Sequence, residues 1–575
     1  MRRGDYFAVI APAGLHPANA QKAAEVAARH DLAQCFRAGD LLVFASAPSQ
    51  PLGDTGALIG QACGVEPEHL SSLAAAARQS AGRALVTRCW GDYLVLCRDP
   101  AAQCVMAIRP PASTMPTLRA TLGAVTLISS NIDLLLALGV APRIDWDFVA
   151  QHLAFPHLRG HRTGIAGVDE VVGGECLTVR RETSSRLSIW SPWHFASADH
   201  RIDDREAATD SVRHAILSSV AELAAPFRTI MIELSGGLDS SIVAAALGAA
   251  GARCVAVNLR TPDAEGDERR YARAVAARTG HRLIEDAVDA DLDLTGLAWS
   301  RTVRPGIPAM LKAADRRFLE LAEREGCDAF FSGSGGDCVF AMPDAAAPVA
   351  DRWLTAGGGL RFLRTAMAVA EVHDASLWRA VRRALRQAHQ TPAPWPTASA
   401  FLRKEALPTR PDPHPWLSEP DGVLPGTRAH VRAIVATLGH LDGYARQSIA
   451  PSTYPLLSQP VIEACLHVPS WLWVDRGRDR AIARRAFRDL LPASVIDRRT
   501  KGAMDGYCMR NYDRNRERLT TFLERGHLAT AGLLDRVHVA EFLDRPPLRS
   551  DPRFYDLLPI IDCEVWLRTW LGDPD

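Results

Sequence analysis

Residues 233–247 read ELSGGLDSSIVAAAL, and this stretch decides how the chain is to be read. The apolar run TIMIEL (229–234) leads into it, and an alanine-rich run leads out. Gly236 and Gly237 let a ligand approach the backbone with no Cβ in the way. A strand that passes directly into a helix leaves the first helical amides unpaired at the positive end of the dipole, a setting that suits an anion. Ser235, Ser240 and Ser241 offer hydroxyl donors. A carboxylate such as Asp239 suits a phosphate site when Mg²⁺ bridges the two. The same residues also suit a plain strand–turn–helix joint, with Gly for geometry and Ser or Asp as helix cap. No GK[ST] follows, so this is not a Walker A loop.

The neighbouring sequence places the stretch in a larger pattern. A helical repeat, EAATDSVRHAILSSVAELAAPF (206–227), precedes it. RCVAVNL, ERRYARAVAARTG and HRLIED then read as strand, helix and strand, and DAFFSGSGGD as strand plus loop. Such alternation predicts a parallel sheet covered on both faces, with ligands at the carboxyl edge. In FFSGSGGDCVF (330–340) a second glycine-rich loop follows an apolar strand and offers Asp337, which together with Asp239 is a candidate pair of Mg²⁺ ligands. A third stretch, GRDRAIARRAFRDLLPASVIDRRTKGAMDG (477–506), reads as an amphipathic helix ended by LP, then the cations Arg498, Arg499 and Lys501. Those charges are either solvated or set to stabilise negative charge in a reaction.

Residues 1–200 differ in character. DYFAVIA, DLLVFAS, RALVTRCW, DYLVLCRD and ECLTVRRE read as strands, and QKAAEVAARH and DFVAQHLAF as helices, an α+β arrangement. From about 345 the chain reads mostly helical, with a Pro-rich interruption near 391–416 expected to be a long mobile loop.

Bulk properties narrow the classes. A chain of 575 residues exceeds one core, so two domains or more are expected. A formal net charge of zero argues against a nucleic-acid binder. The four lysines stand against 62 arginines, which makes Lys501 conspicuous, because a lysine pKa can shift far enough for proton transfer. The twelve cysteines include no CxxC pair, which argues against zinc or redox motifs. With no signal-like N-terminus and no apolar run of about 18 residues, no membrane association and a reducing cytoplasm are expected.

The spacing SGGxDSS resembles the pyrophosphate-binding loop of N-type ATP pyrophosphatases, which cleave ATP between the α- and β-phosphates. With SGSGGD and RRTKG in this order, the chain resembles the asparagine synthetase superfamily. SNIDLLLALGVAPRIDWDFV, TGIAGVDEVVGGECLTV, WSPW and WGDYLVLCRDP resemble its N-terminal glutaminase-type domain. The resemblance implies an Ntn-like α+β sandwich over 1–200 and an α/β parallel-sheet ATP pyrophosphatase domain with extra helices over 201–575. It implies ATP and Mg²⁺ as cofactors, and nucleotide contacts at Leu234, Ser235, Gly236, Gly237, Asp239, Ser240, Val257, Ser332 and Gly333. The family's glutaminase needs a Cys directly after the initiator Met, and Arg2 stands there, so the domain is expected to lack that catalytic Cys.

Two branches of the superfamily lack glutaminase activity, the β-lactam synthetases and the lasso peptide cyclases. Three residues before the loop Asp, asparagine synthetase carries Glu and β-lactam synthetase a catalytic Tyr. This chain has Ser334, the candidate for that catalytic position. GDERRYARAVA, SGSGGD, YPLLSQPVIEACLHVPSWLW and GRDRAIARRAF look most like lasso peptide cyclases, and Lys501 falls where β-lactam synthetases carry a catalytic Lys, in a similar R-x-K-G setting. The implied activity is adenylation of an Asp or Glu side chain of a precursor peptide, then ring closure by its N-terminal amine. The implied partners are that peptide, a leader peptidase and a leader-binding protein. Trp395, Phe401 and Trp416 in the Pro-rich stretch are candidates for a cavity wall or lid, or else incidental surface aromatics. The alternative activities are a β-lactam-synthetase-like cyclase of a small amino acid and a glutamine-independent amide ligase. tRNA thiolation would call for a basic face and Cys pairs, and a degenerate ATP-binding scaffold would not need the intact loop residues.

Overall fold

The computed structural model describes residues 4–574 apart from 47, 264–265, 297–299, 342–345, 391–393, 440, 500–501, 503, 546–550 and 552. Arg2 and Lys501 therefore lie outside the described residues.

Twelve strands lie within residues 6–188: β1 Tyr6–Ile10, β2 Ala33–Arg37, β3 Leu41–Ala45, β4 Ser49–Pro51, β5 Gly56–Cys63, β6 Trp90–Asp99, β7 Cys104–Arg109, β8 Leu118–Leu122, β9 Val125–Ser129, β10 Val168–Glu170, β11 Glu175–Val179 and β12 Ser184–Ser188. They form two six-stranded antiparallel sheets, ordered β10-β8-β9-β1-β3-β2 and β12-β11-β7-β6-β5-β4. Tyr6, Ala8 and Ile10 of β1 point into the space between the sheets, where they meet Ile59, Leu94, Leu96 and Leu177. Phe7 and Val9 point the other way, onto the helices Pro17–Arg29, Ile132–Leu138 and Trp146–Ala154. Both faces are covered, which explains why β1 is buried throughout rather than alternating. Helix Leu70–Gln79 covers the outer face of the second sheet.

One expected strand is a helix. RALVTRCW forms helix Arg83–Arg88, and β6 begins only at Trp90. Gly82 before it is left-handed, and neighbouring Leu85 and Val86 are both buried against the second sheet. Burying two consecutive side chains on one side suits a helix and not a strand.

The remaining strands, β13 Ile230–Glu233, β14 Cys254–Arg260, β15 Arg282–Ala287, β16 Ala329–Phe331 and β17 Ser452–Thr453, form one sheet ordered β15-β14-β13-β16-β17. Every pairing in it is parallel. Ile230 and Ile232 face the helices Arg205–Ala224 and Leu238–Ala249, whereas Met231 faces helix Lys312–Glu325. The chain runs outward from β13 through β14 to β15, then returns to place β16 on the other side of β13. The strand order therefore reverses between β13 and β16, and this is where parallel sheets bind ligands.

In the described part of the Pro-rich stretch, residues 394–416, the aromatics are core residues and not surface ones. Trp395, Phe401 and Trp416 are only 6, 1 and 1% exposed. Trp395 donates its indole N–H to the Pro156 carbonyl, Trp416 lies 4.7 Å from Trp190, and Phe401 lies 5.0 Å from Phe542. The aromatics anchor this segment against residues from both halves of the chain, because large rings gain more from burial than the prolines lose by forgoing regular structure. All twelve cysteines carry free thiols, most of them buried, which fits their reading as small core residues. Among the described residues, no helix is long and apolar enough to cross a membrane.

His430 is buried and shares a hydrogen bond with the Val339 carbonyl just beyond the second glycine-rich loop. Burial lowers its pKa to about 4, against the pull of that hydrogen bond. The unfolded chain, with an ordinary histidine pKa of about 6.5, binds the extra proton first. The His430 contribution is therefore complete above pH 6.5 and is lost as the pH falls through about 4. Denaturant melts at pH 7 and pH 4.5 should differ by about 2 kcal/mol from this group. The difference should shrink in His430→Gln.

Candidate active site

The two glycine-rich loops leave the carboxyl ends of adjacent strands β13 and β16 and interlock. Leu234 extends the first ladder by donating its amide to the Val257 carbonyl, while Asn258 holds the Leu234 carbonyl at 2.8 Å. Gly236 then turns left-handed at φ +78°, and a Cβ there would lie 2.6 Å from Cβ of Tyr271. Gly237 precedes helix Leu238–Ala249 with no side-chain cap bond. On the second loop, a Cβ at Gly333 would lie 2.4 Å from the Ser240 amide nitrogen, and one at Gly336 would lie 2.4 Å from Cγ of Asp239. Glycine is thus required at 333 and 336 because the loops touch. Gly333→Ala should push the loops apart, lower ATP-dependent turnover by about 10²-fold, measured as AMP release, and cost about 1–3 kcal/mol of stability by overpacking.

A cavity of about 600 Å³ opens between the loops, in the size range of small-molecule sites. Of the nominated residues it is lined by Ser235, Gly237, Asp239, Ser240, Ser332, Gly333, Ser334, Asp337, Arg498 and Arg499. Gly236 backs the loop rather than the cavity, and Leu234 and Val257 are buried at its base, 0 and 1% exposed. Ser241 does not offer the hydroxyl expected of it: it is buried and donates to the Gly237 carbonyl at 2.6 Å within its own helix. Ser235 and Ser240 hydroxyls face each other at 3.0 Å.

The feature that sequence reasoning missed is Arg480. Its Nη1 lies 3.2 Å from both carboxylate oxygens of Asp239 and 2.5 Å from Oδ1 of Asp337. Its backbone is left-handed, φ 51° and ψ 36°, an uncommon conformation for a side-chain-bearing residue. Burial opposes its charge, but Asp239, Asp479 and Asp337 outweigh that and hold its pKa above the usual arginine value. Two carboxylates that share one cationic atom form an all-oxygen donor pair, which suits Mg²⁺. Among the described residues no three acidic, His or Cys side chains form a metal site by themselves, so an ion here would need nucleotide oxygens or water as further ligands.

Within the cationic run the two described arginines differ in what they touch. Arg498 is clamped by Glu268, bonds the Gly236 carbonyl at 3.2 Å and stacks 3.9 Å above Tyr271. It fastens the first loop. Arg499 is exposed at the cavity edge. Glu233, the first letter of the opening stretch, also lines the cavity. A carboxylate at the end of an apolar strand was a usable signal for it, whereas nothing in the local pattern distinguished Arg480 from its many neighbouring arginines.

The touching glycine-rich loops and paired carboxylates thus frame a cavity of small-molecule size at the switch point of a parallel sheet, where such sheets bind ligands. Residues 211–568 match the asparagine synthase family, and the chain belongs to that family. Among curated proteins none matches the chain. Among solved structures, glutamine phosphoribosylpyrophosphate amidotransferase from B. subtilis, complexed with ADP and GMP, is similar at 10% identity over 57% of this chain and 81% of its own, with a TM-score of 0.19. A structure of the allosteric regulatory enzyme of purine biosynthesis is similar at 10% identity over 52% and 77%, also with a TM-score of 0.19. Neither likeness is close enough to carry an argument.

Proposed function

We propose that this protein is an ATP-dependent, AMP-forming amide ligase that closes a macrolactam on a precursor peptide. The coarse part, an ATP-dependent amide ligase, follows from membership of the asparagine synthase family. The observation that carries the reading is the pair of interlocked loops, with Asp239 and Asp337 converging on one cationic atom at the sheet's switch point. The peptide specificity rests on the resemblance to lasso peptide cyclases and on Ser334 in place of Glu or Tyr.

In this reading a side-chain carboxylate oxygen of the peptide attacks the α-phosphorus of ATP. The bond to the β-phosphate bridge breaks, leaving an acyl-adenylate and pyrophosphate. The N-terminal amine of the same peptide then attacks the acyl carbon, and AMP departs with the C–O electron pair. The uncapped amides at the start of helix Leu238–Ala249 and the hydroxyls of Ser235 and Ser240 bind phosphate oxygens. Asp239 and Asp337 would hold Mg²⁺, which supplies charge neutralisation on the phosphates. Arg499 and Arg480 offset negative charge on the departing pyrophosphate. Lys501 is assigned, on its R-x-K-G setting alone, to stabilise the intermediate of ring closure. Holding amine and acyl carbon together supplies much of the acceleration. A leader peptidase and a leader-binding protein would deliver the peptide.

The test is to incubate the protein with a leaderless synthetic precursor peptide and ATP·Mg²⁺. The expected products are the peptide minus one water, AMP and pyrophosphate. ADP as the nucleotide product would overturn the adenylation chemistry, and AMP release without a ring would overturn the peptide-cyclase assignment.

A further inference from the structure

The cavity holds a carboxylate that the loop motif does not require. Glu233 ends β13, and its Oε2 accepts a hydrogen bond from the Ser332 hydroxyl at 2.7 Å. The Ser332 oxygen lies 2.9 Å from the Ser334 hydroxyl, and the Ser334 amide donates to it at 3.2 Å. These contacts make a continuous chain, Ser334–Ser332–Glu233, and all three residues line the cavity that also presents Asp239 and Asp337. Ser334 therefore reaches a proton acceptor although it is not one itself.

The far side of Glu233 is equally constrained. Its Oε1 pairs with Arg446, whose side chain is 4% exposed and also lies 3.3 Å from Asp315. Tyr444 stacks against the same guanidinium at 4.5 Å, and Tyr454 also faces it, with Asp442 beside both tyrosines. Two carboxylates thus share one guanidinium. Asp315 is the more buried and also accepts the Ala445 amide, so Glu233, at 27% exposure and on the cavity wall, is the one with access to a proton from the site.

We propose that Ser334 and Ser332 relay the proton released in amide formation from the attacking amine to Glu233. The proposal rests on the amide-ligase reading above. As the C–N bond forms, the nitrogen proton passes to the Ser334 oxygen. The Ser334 hydroxyl proton passes to Ser332, and that of Ser332 to the Glu233 carboxylate, while the C–O bond to AMP breaks. Both serines end as neutral hydroxyls, and Glu233 carries the proton until solvent removes it. Ser334 faces the amine, and Ser332 and Glu233 act through it.

The experiment separates the two chemical steps in the full-length protein with a synthetic peptide that bears a free N-terminal amine and a side-chain carboxylate. Exchange of labelled pyrophosphate into ATP reports adenylation, and loss of water from the peptide reports ring closure. Hydroxylamine, which is unprotonated and strongly nucleophilic near neutral pH, captures the acyl-adenylate without needing a base. Glu233→Gln is expected to slow ring closure by about 100-fold, with far smaller effects on exchange and on hydroxamate formation. Ser332→Ala leaves the Glu233–Arg446 pair in place and should slow ring closure well beyond any loss of exchange that follows from the nucleotide contact expected of Ser332, so the outcome does not depend on Glu233→Gln folding. Equal losses in exchange, hydroxamate and ring closure in Ser332→Ala would mean a packing role and overturn the relay. An undiminished rate of ring closure in Ser332→Ala would also overturn it. Absence of exchange in the unaltered protein would instead sink the ligase reading, and the relay with it.

Discussion

Asp239→Ala is expected to lower ATP-dependent AMP release by at least about 10³-fold. Asp239 and Asp337 come from loops on neighbouring strands and meet at one cationic atom, so removing either halves the negative charge at that point. The loss should follow charge and not shape. Gly336 packs directly on the Asp239 carboxyl, which means alanine also leaves a gap, whereas Asp239→Asn fills it. Asparagine should therefore be nearly as inactive as alanine while losing less stability than alanine, since Asp337 and Asp479 still pair with Arg480. AMP and pyrophosphate release measured alongside thermal melts decides the matter. Substantial activity in Asp239→Asn would remove the proposed metal role.

The second large effect is on stability. Glu170 is fully buried, and its two oxygens accept from Arg109 at 2.7 Å, from Arg159 at 2.6 and 3.0 Å and from Arg304 at 2.6 Å. Arg159 reaches on to Asp442 at 2.6 Å, so the cluster ties the antiparallel sandwich to segments beside the parallel sheet. Burial alone would push the Glu170 pKa up, but the three guanidinium groups outweigh it and hold it well below the ordinary carboxylate range. The stability it provides is therefore complete above its unfolded pKa, near 4.3, and is lost only as the pH falls through the depressed folded value. Glu170→Ala would leave the buried Arg109 and Arg304 and the half-buried Arg159 short of a partner. It should cost about 3–5 kcal/mol, measured by calorimetry or denaturant melts at pH 7. Glu170→Gln keeps the volume without the charge and should cost nearly as much. A loss below about 1 kcal/mol in both variants would show that the cluster is solvated in solution.

Much of the architecture was legible in the sequence because it is written locally. Apolar runs of strand length between helical repeats specify a doubly covered parallel sheet, and β13, β14, β15 and β16 form where those runs lie. The loops after β13 and β16 carry their glycines and carboxylates in contiguous letters, so Ser235, Gly237, Asp239, Ser332, Gly333, Ser334 and Asp337 could be named before they were seen to share one cavity. RALVTRCW went the other way: its β-leaning letters became a helix because the second sheet had a face to cover.

The sequence by itself determined the class of sheet, the two loops and the acidic residues they offer, since helix and strand periods and turn chemistry depend on residues a few positions apart. The tertiary structure alone decided partners: Arg480 between Asp239 and Asp337, Arg498 clamped to Glu268, Glu233 joined to Ser334 through Ser332, and Trp395, Phe401 and Trp416 buried as anchors in a stretch expected to be a long loop. Each of these joins segments tens to hundreds of residues apart. A buried charge or ring takes whichever partner the packing brings within reach, and no local pattern encodes that choice.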